Sequence, residues 1–333
     1  MKQKLFYAIL LTLPLIVACS SDNTGNSSSA EEIHFTSQLQ ASATRGTTAL
    51  QENQLAAGTA VYVWAENFGT NSEYFNAWEL TADGNGGFIE PGVKYYPGAN
   101  GKLNFYAIHY NGSFSHDTQT MPDNIIGHLH SVEVNQTTAD AFTRSDLLYA
   151  SMQEQGHMRS AVPLTFYHML SKIEVALKAG ENITAADLEG ATIELMNGTS
   201  TLKTTVTFKP VKTTATAMAE NLNNLRANMV GTENATTADR IGMPLPAITT
   251  DFSDFTEAIL PPQTISGKFI KLTITSNSSK YKGLELFYTL NEAKTLQSGY
   301  KYRFNITVSP TVLTANSPTV SEWGNNTDTA VSF

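Results

Sequence analysis

From Tyr300 to Val308 the chain alternates without a break. Tyr300, Tyr302, Phe304, Ile306 and Val308 are interleaved with Lys301, Arg303, Asn305 and Thr307. Successive side chains of a strand point to opposite faces of its sheet, so this run predicts one buried face and one wet face. Shorter runs repeat the pattern at Val61 and Val63, at Leu103 and Phe105, at Leu202, Val206 and Phe208, and at Ile270, Leu272 and Ile274. Another sets Ile173, Val175 and Leu177 against Lys172, Glu174 and Lys178, which the same period assigns to the wet face. Threonine is frequent among these runs, as half-exposed strand faces favour. Asp83-Gly84-Asn85-Gly86-Gly87, Pro97-Gly98-Ala99-Asn100-Gly101, Asn197-Gly198 and Ser298-Gly299 supply hairpin or loop chemistry between them. Helical signals are few: one short turn over Thr184–Leu188 and some helical character from Met218 to Met229. Close-spaced strands with little helix predict an all-β chain of antiparallel β-sandwiches. The polar stretch 152–161 is the best boundary, giving units 33–155 and 156–333, and Thr213–Thr250 reads as long loops.

The first eighteen residues have a different character. Lys2 and Lys4 precede a mostly apolar stretch from Leu5 to Val17, interrupted by Thr12 and Pro14. That is too short to span a hydrocarbon core of about 30 Å, and it matches an export signal, residues 1–18. It ends in Leu15-Ile16-Val17-Ala18-Cys19, which resembles the lipobox of bacterial lipoproteins. Cleavage between Ala18 and Cys19 would leave Cys19 to carry acyl groups and anchor the chain in the outer membrane. Cys19 is the single cysteine of 333 residues, so the chain forms no intrachain disulfide and has no other thiol for metal or nucleophilic chemistry. Residues 20–32 are almost wholly polar, so 19–32 is expected to be a flexible tether. Its acidic start resembles the surface-export signal of Bacteroidetes lipoproteins. Loss of the signal removes two lysines and takes the net charge from −9 to −11. Without any Lys/Arg cluster, such a chain is a poor partner for nucleic acid or anionic lipid.

Several motifs, in order along the chain, resemble the Bacteroidetes fimbrillin-like proteins. After the lipobox come Phe35 and Thr44-Arg45, then Lys94-Tyr95-Tyr96-Pro97 leading into Leu103–Ala107. Asp146–Ala150 and Val162–Ile173 follow, and then Leu260-Pro261-Pro262-Gln263-Thr264, the strand from Gly299 to Val308, and Trp323. The resemblance implies two transthyretin-like β-sandwich domains in tandem and export as a lipoprotein precursor. It further implies that, in polymerising members, a trypsin-like protease cuts after an arginine near the start of the folded part. The first strand then leaves, a strand from another fimbrial subunit fills the groove, and the resulting fimbria serves adhesion. Here Arg45, followed by Gly46, stands at the matching position and is the one arginine before Arg144. An ordinary loop arginine remains the other reading, and tip or anchor subunits need no such cut. The C-terminal run with Ala330, Val331 and Phe333 is a candidate donor strand, or a plain edge strand.

Other chemistries find less support in the residues. His128 and His130 share one strand face, but Glu133 falls on the other, so a packed or solvated pair is favoured over a metal site. His168 reads as packing, and His109 has no partner visible in sequence. Asp83–Gly86 resembles a calcium loop without its later ligands, and Asp251 with Asp254 read as solvated carboxylates. No nucleophile elbow, phosphate loop or His-Glu-x-x-His motif is present, so the chain is read as a non-enzyme without cofactor. Tyr62, Trp64, Phe68, Tyr74, Phe75 and Trp78 form an aromatic cluster that would fill the first core or, if exposed, stack on sugars. A surface lipoprotein binding a glycan or protein of a host or bacterial surface is therefore the alternative to a fimbrial subunit.

Overall fold

A computed structural model describes residues 31–39, 54–98, 100–111, 128–208, 236–323 and 329–330, and the account below concerns these. Cys19, Ala18, Arg45, Gly46, Val331 and Phe333 lie outside them, as does the run from Met218 to Met229.

The alternating runs lie on strands, except that Leu202 falls on one strand and Val206 and Phe208 on the next, and Ile274 lies just past the end of its own. The first strands are β1 (Phe35–Leu39), β2 (Ala60–Asn67), β3 (Glu73–Ala82), β4 (Phe88–Ile89), β5 (Lys102–His109) and β6 (His128–Ser131). A helix, α1 (Ala139–Ser145), precedes β7 (Leu148–Gly156), β8 (Val162–His168) and β9 (Ser171–Ala179). Next come β10 (Thr192–Leu195), β11 (Leu202–Lys203), β12 (Thr205–Phe208), β13 (Thr237–Ala238), β14 (Ile241–Met243) and β15 (Thr256–Leu260). The last are β16 (Thr264–Ile265), β17 (Lys268–Thr273), β18 (Glu285–Thr289), β19 (Lys294–Thr295), β20 (Tyr300–Val308), β21 (Leu313–Glu322) and β22 (Thr329–Ala330). The all-β expectation holds. The turn at Thr184 is a single 3₁₀ turn, closed by reciprocal bonds between Thr184 and Asp187. Helix α1, capped by the Thr138 side chain on the Ala141 amide, carried no signal in the sequence reading.

Seven strands form one sheet in the order β1-β8-β7-β5-β2-β3-β4. Residues 152–156 continue β7, and β8 pairs with both β7 and β1. The unit expected at 156–333 thus begins with a strand that is hydrogen-bonded into the first sheet. One face of this sheet buries Phe35, Val61, Val63, Trp78, Phe105 and Phe166 in a core of its own. The opposite face is covered as well: Trp64, Tyr106, Ile108 and Tyr149 join a second core with residues 169–323. In that core the five-stranded sheet β15-β9-β20-β21-β22 meets the four-stranded sheet β14-β10-β17-β18. Phe304 of β20 packs on Phe269 of β17 and Tyr288 of β18, with ring centroids 5.6 and 5.7 Å apart.

Two findings depart from the sequence reading. Most pairings are antiparallel, but β1 with β8 and β9 with β20 run parallel, a distinction the alternation cannot carry. The charged face of β9 is also not wet, since Lys172 and Glu174 are each 1% exposed and Lys301 of β20 is fully buried. Strand register explains how. Glu174 lies between Glu257 of β15 and Arg303 of β20 on adjacent strands, and Lys172 is two residues along on the same face. Lys172 Nζ reaches Glu174 at 2.7 Å and Glu257 at 2.9 Å, and Arg303 pairs with Glu174. Burial alone would raise the Glu174 carboxyl, but Lys172 and Arg303 hold it well below the usual range. Burial likewise opposes the Lys172 charge, yet Glu174 and Glu257 hold it above the usual lysine range. Strand period alone does not reveal such a network, because its members lie up to 129 residues apart.

Candidate functional site

β1 occupies a slot at the end of the seven-stranded sheet. The alternation of β1 and of the two residues before it sends Ile33, Phe35, Ser37 and Leu39 inward, at 1%, 3%, 7% and 3% exposure, and leaves His34, Thr36 and Gln38 outside. Phe35 packs edge-on against Trp78 at 6.1 Å and Phe105 at 5.1 Å. Burying Ile33, Phe35 and Leu39 contributes about 5–9 kcal/mol at most, at ~1.5–3 kcal/mol per side chain.

One backbone edge of β1 forms the parallel ladder with β8, from Phe35 opposite Val162 to Leu39 opposite Phe166. The other edge meets the segment 86–96 around β4. Ile33 N–H donates to the Lys94 carbonyl and Ser37 N–H to the Gly86 carbonyl, both at 2.8 Å. Phe35 N–H donates to the Glu90 carboxylate at 3.0 Å, and Tyr96 N–H to the Glu31 carbonyl at 3.0 Å. β1 therefore bridges β8 and the margin of β4, so the two ends of the sheet meet across it. The Lys94–Pro97 motif belongs to this second wall.

The loop before β4 is shaped for that contact. The Asp83 carboxylate accepts from the Asn85 and Gly87 amides at 2.7 and 2.9 Å, so the expected calcium-like residues close their own turn. Gly86 has φ +89°, and a Cβ there would stand 3.3 Å from the Ser37 carbonyl oxygen, so glycine suits both the turn and the close approach. Ion pairs fasten the outer side. His34 reaches Glu90 at 2.8 Å and Glu32 at 3.3 Å, and Glu31 reaches His157 at 3.0 Å and Arg159 at 3.5 Å. The Glu90 hydrogen bond raises the His34 pKa above its ordinary value. Phe35 and the Lys94–Pro97 motif stood out in the sequence, and Gly86 only as part of a turn. Ser37 and Glu90 were not singled out, because their roles depend on partners about 50 residues away.

The other expected positions fall elsewhere. Ala330 sits on β22, whose backbone pairs antiparallel with the edge of β21. His130 is buried, accepts from the Asn111 amide at 3.0 Å and bonds the Ser145 carbonyl at 2.9 Å, so both ring nitrogens are occupied. Burial lowers its pKa to about 4, which keeps it neutral. His109 bonds the Ala60 and Thr143 carbonyls. His168 is packing, as expected: its ring stacks on Trp323 with centroids 3.8 Å apart, and it bonds Asp146 at 2.9 Å. Among the described residues, no cluster of three metal-ligating side chains occurs. Of the aromatic cluster, Trp64, Phe75 and Trp78 are core, and Phe68 is exposed. A cleft of about 550 Å³ opens beside α1, with Phe142, Phe252, Phe255 and Asp254 in its lining. Its Gln136 and Ser253 already bond within the protein, to Ile259 and to Leu177 and Asp254.

A family model described as fimbrillin-like matches residues 44–323. The chain belongs to the fimbrillin-like family. Among solved structures, this fimbrillin-like chain is similar to a candidate cell adhesion protein from Bacteroides ovatus, with TM-score 0.60 and 17% identity over 88% of this chain and 98% of that one. It is also similar to a candidate cell adhesion protein from Bacteroides uniformis, with TM-score 0.56 and 18% identity over the same shares. At these identities the likeness speaks for the fold. No curated protein sequence matches the chain.

Proposed function

We propose that this fimbrillin-like protein is a fimbrial subunit at the cell surface, exported as a lipoprotein precursor and assembled by strand exchange. The observation that carries the reading is the placement of β1. It is an end strand, it lies N-terminal to Arg45 in the chain, and it holds three inward apolar side chains in a slot with two backbone walls. A cut between Arg45 and Gly46 would sever β1 from β2 and leave its attachment wholly non-covalent. A vacated slot would present unpaired backbone groups beside an apolar trench, the kind of edge that accepts a strand from another chain. Ala330, Val331 and Phe333 remain the candidate donor residues, and lipid on Cys19 would hold the precursor at the outer membrane. No catalytic role is proposed for any residue.

The test is the N-terminal sequence of the protein collected from the cell surface, for wild type and Arg45→Ala. A start at Gly46 with polymers in wild type, and uncut monomer in the variant, supports the reading. A wild-type chain that still begins at the acylated Cys19 and forms no polymer removes the cut and the exchange, and leaves an anchored surface lipoprotein.

A further inference from the structure

Ser37 breaks the pattern of β1. The other inward side chains are apolar, whereas the Ser37 hydroxyl is buried and, among the described residues, has no hydrogen-bond partner. Its backbone N–H is served, by the Gly86 carbonyl. The hydroxyl stands between Phe35 and Leu39 on a face built of apolar side chains, where an unpaired hydroxyl opposes burial. Backbone ladders bind any extended segment alike, so preference among occupants falls to the inward side chains.

We infer that Ser37 makes β1 a replaceable occupant of its slot. The preferred partner is an extended segment bearing aliphatic, aromatic, small apolar and aliphatic residues at alternate positions, with alanine where β1 has Ser37. The pattern is read from the residues now seated. Ile33 and Leu39 fill the outer positions, and Phe35 meets Trp78 and Phe105 edge-on. The Ser37 position is buried although a small side chain occupies it. This inference rests on the strand-exchange reading above and specifies what the slot selects.

Hydrogen exchange on the intact, uncut chain tests the Ser37 defect without any need for cleavage. In wild type, β1 amides are expected to exchange by local opening, faster than those of β5. Ser37→Ala should slow β1 exchange about tenfold, the equivalent of about 1.4 kcal/mol, with a smaller change in β5. Thr59→Val serves as control, because the Thr59 hydroxyl is also buried without a partner but lies outside β1. It should leave the ratio of β1 to β5 rates unchanged. Unaltered or faster β1 exchange in Ser37→Ala, or equal slowing in β1 and β5, overturns the inference. The second arm cuts the chain with a trypsin-like protease and adds synthetic strands copying residues 31–39. The copy with alanine in place of Ser37 should displace β1 several-fold more effectively than the serine copy, and the copy with leucine there should fail. Equal displacement by all three overturns the selectivity. If Arg45 resists cleavage or no strand enters, the strand-exchange reading fails while the hydrogen-exchange result on Ser37 stands.

Discussion

The fold contains two parallel strand pairs, β9 with β20 and β1 with β8, and the contrast between them separates what is permanent from what is exchangeable. β9 and β20 lie inside a sheet, flanked by β15 and β21, with an apolar face on the second core and a charged face that is also buried. Any slip of register there would strand Lys172, Glu174 or Arg303 away from its counter-charge, so the network specifies one alignment. β1 lies at the end of its sheet and carries no buried charge. Its apolar contacts and backbone bonds are ones that any similarly patterned segment can supply. The same ladder chemistry thus serves a fixed centre and a replaceable margin, and the difference lies in which side chains accompany it.

Four experiments can break or sharpen this contrast. The largest effect is expected for Lys172→Met, which leaves the buried Glu174 and the half-buried Glu257 with less compensation. It should lower unfolding free energy by about 3–5 kcal/mol, measured by urea denaturation. Phe35→Ala comes next, with ~3 kcal/mol removed from β1 docking. Its effect should appear as fast exchange of β1 amides while the amides of β9 and β20 keep their protection. If both strand pairs loosen equally, the contrast is broken. Acid gives the third comparison. Glu174 has a depressed carboxyl in the folded state, so its contribution is present above the ordinary carboxylate range and is lost as pH falls through the folded value. The urea midpoint should therefore drop more between pH 7 and pH 3 in wild type than in Glu174→Gln. The smallest effect concerns His34, whose pKa is raised, so its ion pairs stabilise β1 below about pH 6.5 and fade as pH rises. Because the group is exposed, the change is about a few tenths of a kcal/mol, visible only as faster β1 exchange at pH 8 than at pH 6 after correction for intrinsic rates.

Much of the fold was legible because period-two alternation is local. Tyr302, Phe304, Ile306 and Val308 are buried on β20 as the sequence reading requires. Which face a second layer covers is not local, and there the reading failed for Lys172, Glu174 and Lys301. Strand direction is likewise invisible to alternation, so neither parallel pair was expected. At the slot, Phe35 stood out through the family resemblance, and Ser37 was not singled out. Alternation with Phe35 puts it on the inward face, but only the three-dimensional arrangement shows its hydroxyl unanswered among the described residues.

The stacking of His168 on Trp323 has a mechanical consequence. β8 is the strand beside β1, and its last residue is clamped to Trp323, just beyond the end of β21. Tension applied through whatever occupies the slot therefore passes along β8 and into the five-stranded sheet. Because occupant and β8 run parallel, a pull along their common axis loads all the ladder bonds together in shear. A joint of this geometry resists extension along its length, yet its occupant can still be replaced by a competing strand that enters bond by bond.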